Sequence, residues 1–250
     1  MTPKTPRKRL DVLLVLRGLA ETIQKAQGMI LAGDVRVDGV RADKAGAAIA
    51  EDARIELSGK QQRYASRGGV KLEGALEDFQ VNAAGKVCLD VGASTGGFTD
   101  CLLQHGAMKV YGVDVNVDQM DWKLQQNTRV VRIKRNAREL NAAEIPEKVD
   151  LVVADVSFIS VGKVLRPAAE VAKPGAEFLI LIKPQFELRR EEIGEGGIVV
   201  DPVLHAKAIE IVRAAASAAG IECLDVKPSR LTGAEGNQEF FLHARKRAEE

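Results

Sequence analysis

The chain has 250 residues, 46% hydrophobic and 28% charged, with 36 Lys or Arg against 35 Asp or Glu. That is enough apolar material for one large or two modest cores, and it excludes a mostly disordered chain. No run approaches eighteen apolar residues and the opening MTPKTPRKRL lacks the features of a secretory signal, so a soluble, cytoplasmic protein with no stable membrane association is expected.

The near-zero net charge conceals an asymmetry. Residues 1–63 hold twelve Lys or Arg against eight Asp or Glu, and the remainder is mildly acidic. A basic front end suits nucleic acid, although charge alone does not establish it. In RLDVLLVLRGLAETIQKAQGMILAGDVRVDGV, Leu10, Leu13, Leu14 and Leu16, then Ile23, Ala26, Met29 and Ile30, recur at helical spacing. VRVDG, between Gly33 and Gly39, reads as a hairpin-like strand. A small α+β unit over residues 1–59 is expected, with a polar, basic linker at 60–70 drawn from SGKQQRYASRGG.

From residue 71 onwards strands and helices alternate. KVCLDVG, KVYGVDV, VRIKRN, VDLVVADVSF and EFLILIKP read as successive strands, PVLHAKAIEIVRAAASAAG as a helix, and KPSRLTGAEGNQEFFLHAR as a late strand pair. Such alternation predicts a doubly wound α/β sheet with its ligand site at the carboxyl ends of the strands. Cys88, Cys101 and Cys223 have neither CxxC nor metal spacing, so no disulfide frame or metal centre is expected.

The stretch DVGASTGGFTD, residues 90–100, joins a buried strand to a helix through glycines. Ala93 and Ser94 stand where a dinucleotide fingerprint needs its second glycine, and no Lys-Ser or Lys-Thr follows as in a P-loop. The arrangement resembles S-adenosylmethionine-dependent methyltransferases and implies a Rossmann-like sheet binding S-adenosyl-L-methionine. By that resemblance Asp90 faces the methionine ammonium, and the turn through Gly92, Ser94, Gly96, Gly97 and Phe98 lies beside the amino acid and ribose. Asp114, at the end of the next strand, has the spacing of an acid that accepts ribose hydroxyls. Asn136 is placed at the border of the adenine.

Lys71 in SRGGVKL, Asp155 in DVSFIS, Lys183 in IKPQFE and Glu239 in GNQEF form an ordered Lys-Asp-Lys-Glu set. Asp155, Lys183 and Glu239 fall at strand ends predicted to share one rim, and Lys71 is placed just before the first strand. The set resembles that of FtsJ-like ribose 2′-O-methyltransferases. The resemblance makes Lys183 the proton acceptor or alkoxide stabiliser, Asp155 its electrostatic partner, and Lys71 and Glu239 the groups that orient the ribose. The glycine-bearing PQFELRREEIGEGGIVVDP reads as a charged loop at the mouth of this site.

The front unit resembles the small RNA-binding domain first described in a small-subunit ribosomal protein. It implies phosphate contacts from Arg9, Lys25, Arg36 and Arg41, with Arg67 following in the linker. Where many members have Ser-Arg near the second helix start, this chain has Thr22-Ile23-Gln24, so one expected phosphate contact is missing. Taken over nearly its full length, the chain resembles the TlyA-type proteins, often labelled hemolysins. That resemblance implies ribosomal RNA or ribosomal subunits as the partner and cytidine ribose 2′-hydroxyls as the acceptors. A non-catalytic ribosome-assembly factor and a membrane-lytic protein are the rival readings.

Overall fold

In the computed structural model, residues 6–20, 22–57 and 63–248 are described, and the chain divides into two units, Met1–Gln62 and Arg63–Glu250. In the first, β1 (Arg7–Arg9) runs into α1 (Leu10–Leu16), followed by α2 (Ile23–Ala32), β2 (Val35–Val37), β3 (Val40–Arg41), β4 (Ala48–Ala50) and β5 (Ile55–Leu57). β2 is the centre of an antiparallel sheet ordered β3-β2-β5, and β1 pairs with β4. Thr22 caps α2 by accepting the Lys25 N–H at 3.1 Å, and Gly33 ends the helix in the left-handed region.

Leu10, Leu14, Ala26, Ile30 and Val35 form the core of this unit. Leu16, expected on the apolar face, is 62% exposed because it lies two positions after Leu14 and so on the opposite side of α1. Ile23, which opens α2, is also largely exposed, so the apolar stripe runs past the end of the packed core.

The second unit contains α3 (Arg67–Asp78), β6 (Val87–Val91), α4 (Gly97–Gln104), β7 (Lys109–Asp114), α5 (Trp122–Gln125), β8 (Val130–Lys134) and β9 (Val149–Ala154). It continues with α6 (Gly162–Val171), β10 (Ala172–Ile182), α7 (Pro184–Glu187), α8 (Pro202–Ala218), β11 (Ile221–Pro228) and β12 (Phe240–Lys246). The seven strands are ordered β11-β12-β10-β9-β6-β7-β8. Five are parallel, and β12 runs antiparallel to both β10 and β11.

Both faces of this sheet are covered, which is why its central strands read as continuous apolar runs. Along β9, Val152 and Ala154 pack with Leu165 of α6 and Val212 of α8, while Leu151 and Val153 pack with Leu72 of α3 and Leu102 of α4. The strand order reverses between β6 and β9, and the crevice at such a reversal is where an open α/β sheet takes its ligand.

Several boundaries differ from expectation. Residues 60–62 of the linker lie outside the described residues, but Tyr64 is buried in the second unit's core and Arg67 opens α3. Residues 63–70 therefore belong to the second unit, and Lys71 sits inside α3, well ahead of β6 and not just before it. β11 begins at Ile221, ahead of the expected late pair, and Glu239 immediately precedes β12. The charged segment after β10 folds as α7 and two single-turn helices, with Leu188 and Val199 packed on Ala208 of α8.

Candidate active site

After β6 the chain turns through Gly92 (φ +88°), Ser94 (φ +48°) and Gly96 (φ +91°) before α4 begins. A Cβ on Gly92 would press into the backbone carbonyl of Asp155 at the end of β9, so glycine is required there by space as well as by φ. A Cβ on Gly97 would meet Ser66 Oγ and the Gly69 nitrogen, which records how closely α3 and α4 approach.

Asp90 lies fully buried beneath this turn. Thr99 Oγ1 donates to its Oδ2 at 2.6 Å, while Oδ1 has no hydrogen-bond partner among the described residues. Burial pushes the carboxyl up to about 7, against the opposing effect of the Thr99 hydrogen bond. Sequence reasoning did not single out Thr99, although it stands in the same quoted stretch and its position on the first turn of α4 aims it back at β6.

The cavity beside the turn is lined by Gly92, Ser94, Gly97 and Phe98, by Ser66, Arg67 and Lys71 at the start of α3, and by Asp155 and Thr232. The other expected contacts are placed differently. Gly96 packs against Leu124 of α5. Asp114 is fastened to the turn, accepting the Ser94 N–H on Oδ2 and the Asn116 N–H on Oδ1, each at 2.9 Å. Asn136 caps a short helical turn by accepting the Arg138 N–H at 3.2 Å, a local duty off the cavity wall.

The Lys-Asp-Lys-Glu set resolves into two ion pairs. Lys71 Nζ donates to Glu239 Oε2 at 2.5 Å, and Lys183 Nζ lies 2.5 Å from Asp155 Oδ1 while donating to Ser157 Oγ at 2.9 Å. Sheet register explains the meeting. Ile182 of β10 is opposite Phe240 of β12, so Lys183 and Glu239 sit at adjoining strand ends. Asp155 follows Ala154, which is paired with Val91 on one side and Ile180 on the other. α3 brings Lys71 to the same rim, and Lys71 and Asp155 share the cavity wall with the glycine turn.

Phe158, also in the DVSFIS stretch, was not foreseen. It is 88% exposed at φ +66°, with its ring centroid 5.4 Å from that of Phe186, over which Lys183 Nζ lies at 5.8 Å. A left-handed residue with a Cβ costs about 1–2 kcal/mol, and an exposed ring recovers little of that by burial.

In the first unit, Arg9 is not simply a free phosphate contact. Its Nε and Nη2 donate to Asp11 at 3.0 and 2.7 Å, and Gln27 Nε2 also donates to Asp11 at 3.0 Å. Asp11 is buried, and the Arg9 bond holds its carboxyl well below the usual range. Lys25, Arg36 and Arg41 are exposed. Arg36 and Arg41 are paired across β2 and β3, but their side chains part: Arg36 Nη1 donates to the Gly39 carbonyl at 3.0 Å, and the Arg41 guanidinium lies against Gly33. Arg67 is exposed at the mouth of the second unit's cavity.

A switch-point cavity with a glycine turn, a buried acid at the first strand and a second acid at the next defines the class: a Rossmann-like methyltransferase domain, here following a small basic α+β domain. Residues 64–246 match the FtsJ-like methyltransferase family model and residues 8–55 match the S4 domain model. The chain is 44% identical over 241 residues to the "16S/23S rRNA (cytidine-2'-O)-methyltransferase TlyA" of Mycobacterium tuberculosis, covering 96% of this chain and 90% of that protein. It is 40% identical to "Hemolysin A" of Brachyspira hyodysenteriae, covering 94% and 98% respectively. The solved structure described as "Putative hemolysin from Streptococcus thermophilus" superposes with a TM-score of 0.74 at 40% identity, covering 97% of this chain and 90% of that one. The chain belongs to the TlyA, or hemolysin A, family, in which an S4 domain precedes an FtsJ-like methyltransferase domain. Membership implies S-adenosylmethionine as the methyl donor. No helix among the described residues is long and apolar enough to cross a membrane.

Proposed function

We propose that this chain methylates ribose 2′-hydroxyls of cytidines in ribosomal RNA, using S-adenosyl-L-methionine. The observation that carries the chemistry is the convergence of the Lys71–Glu239 and Lys183–Asp155 pairs on the cavity formed by the glycine turn. The choice of cytidine in ribosomal RNA rests on the printed activity of the Mycobacterium tuberculosis relative and on the S4 domain.

The residues fit the donor. Asp90 Oδ1 is a buried carboxylate oxygen with no hydrogen-bond partner among the described residues, the kind of group that an ammonium satisfies. Gly92 and Gly97 let the turn close tightly on Asp155 and the start of α3, and Asp114, locked by two backbone N–H groups, retains lone pairs for ribose hydroxyls. When bound, S-adenosylmethionine supplies an electrophilic methyl group on sulfur.

Lys183 Nζ donates to Ser157 Oγ and is held in ion-pair contact with Asp155, which fixes the position of its charge at the rim. That charge favours the alkoxide character that grows on O2′ as its proton passes to solvent water. Lys71, held by Glu239, offers a second cation on the wall, suited to orienting the ribose. Phe158 presents an exposed ring for stacking on a nucleobase. Arg36 and Arg41 supply an electrostatic footing for RNA phosphates.

The test is transfer of labelled methyl groups to ribosomal subunits from cells lacking the enzyme, comparing the intact protein with Lys183→Ala. The expected product is 2′-O-methylcytidine, with label lost in the variant. Donor binding without transfer to either subunit or to naked RNA would instead favour an assembly factor.

A further inference from the structure

DVSFIS, residues 155–160, and KPQFE, residues 183–187, lie against each other from end to end. Asp155 and Ser157 hold Lys183 Nζ, Phe158 meets Phe186, and Glu187 completes the series. Its Oε2 accepts the Ser160 hydroxyl at 2.5 Å and its Oε1 accepts the Val161 N–H at 2.8 Å. Methyl transfer makes use of the Lys183 contacts, but it gives Glu187 no chemical duty. Glu187 is outside the cavity wall, and burial pushes its carboxyl up. A carboxylate drawn into such a setting is costly unless its bonds matter.

Both oxygens of Glu187 are spent on the two residues that bring the chain out of the Phe158 turn. Phe158 itself is left-handed and contributes almost no burial, so the conformation depends on anchors on either side. On the leading side the Asp155 N–H donates to the Val91 carbonyl at 2.9 Å, and Lys183 grips Asp155 and Ser157. On the trailing side Glu187 grips Ser160 and Val161. α7 spans the distance between Lys183 and Glu187, so one short helix clamps the turn at both ends.

We propose that Glu187 is a positioning residue which, through Ser160 and Val161, fixes the left-handed Phe158 in front of Lys183 and so presents the ring to the acceptor nucleotide. This inference rests on the RNA-methylating reading above. Glu187 acts on the acceptor side alone, and donor binding is independent of it.

The experiment uses the full chain with ribosomal subunits from cells lacking the enzyme. Glu187→Ala is expected to lower kcat/KM for subunits by about tenfold, leaving the Kd for S-adenosylmethionine unchanged. Glu187→Gln, which keeps the shape and an acceptor oxygen, is expected to recover most of the activity. In a Phe158→Ala background, Glu187→Ala is expected to cause no further loss. An equal loss with and without Phe158, or no loss at all, would overturn the proposal. Hydrogen–deuterium exchange over residues 157–163 provides a readout that needs no RNA and is expected to accelerate in Glu187→Ala. Unchanged exchange would remove the clamp even if the enzyme methylates RNA. Accelerated exchange in a protein whose wild type methylates no RNA would preserve the clamp and reject the function on which its purpose rests. If Glu187→Ala fails to fold, Ser160→Ala carries the same expectations.

Discussion

Lys71 and Glu239 are 168 positions apart in the chain, yet Lys71 Nζ sits 2.5 Å from Glu239 Oε2 with both side chains almost out of water. Removing one member strands the other, a change that costs about 3–5 kcal/mol for a buried pair. Glu239→Ala is therefore expected to lose stability of that order in urea denaturation. The double change Lys71→Met with Glu239→Leu is expected to recover most of that stability, because neither charge is left alone. It is expected to restore none of the methyl transfer, which separates what the pair does for the fold from what it does for the ribose.

Asp90 ties pH to donor binding. Its carboxyl stands at about 7 when buried without a cation, above its value in an unfolded chain. The sign follows: the stability associated with the protonated form is full below the unfolded value, near 4, and is lost as pH rises through about 7. A bound ammonium favours the ionised carboxylate, so affinity for S-adenosylmethionine is expected to strengthen from about pH 5 to pH 7 in calorimetric titrations, below the range in which the donor's own amine loses its proton. Asp90→Asn is expected to weaken donor binding at least tenfold. It is also expected to raise the melting temperature of the donor-free protein at pH 8, and a lowered melting temperature there would contradict the burial argument.

Which parts of this site could be read without the structure depended on whether they needed register. Val87–Val91 and Val149–Ala154 were legible because strands buried on both faces are continuous apolar runs. The glycine turn was legible from its spacing, as was the order of Lys71, Asp155, Lys183 and Glu239. The pairing within that set was not fully legible, since the union of Lys71 with Glu239 depends on where α3 crosses the end of β12. Residues 63–70 looked like linker because RYASRGG is polar and glycine-bearing. Its glycines serve packing instead: a Cβ on Gly69 would strike Tyr64 and the Gly97 carbonyl. β4 and β5 are three residues each, too short to carry an alternation. The left-handed backbone at Phe158 has no local sequence signal, because no glycine or asparagine marks it.

The first unit offers a contrast between two kinds of arginine. Arg36→Ala and Arg41→Ala are each expected to weaken RNA binding and to reduce the slope of log affinity against log salt by up to about 1. Their effect on melting temperature is expected to be small, since both side chains are exposed. Arg9→Ala is expected to act in the opposite order. It deprives the buried Asp11 of its principal partner, so the S4 domain should melt at lower temperature before any phosphate contact is considered. Acid should reproduce the loss. Asp11 is held below its usual range, so the stability it contributes is present above about pH 4 and disappears as pH falls through its folded value.

Phe158 separates strain from function. Phe158→Ala removes the ring but retains a Cβ at φ +66°, whereas Phe158→Gly removes both. If the ring stacks on the acceptor base, the two variants should lose methyl transfer to similar extents, between about fivefold and about 150-fold, for the 1–3 kcal/mol that a base–aromatic contact contributes. Their stabilities should diverge. Glycine escapes the left-handed cost of about 1–2 kcal/mol, less the 0.5–1 kcal/mol that its greater unfolded-state freedom takes back. Phe158→Gly is thus expected to be the more stable of the two by up to roughly 1.5 kcal/mol in urea denaturation. Equal stability would mean that the turn relaxes once the ring is gone, and intact activity in both variants would take the ring out of acceptor recognition. Donor affinity is expected to match wild type in both, because Phe158 is absent from the wall formed by the glycine turn.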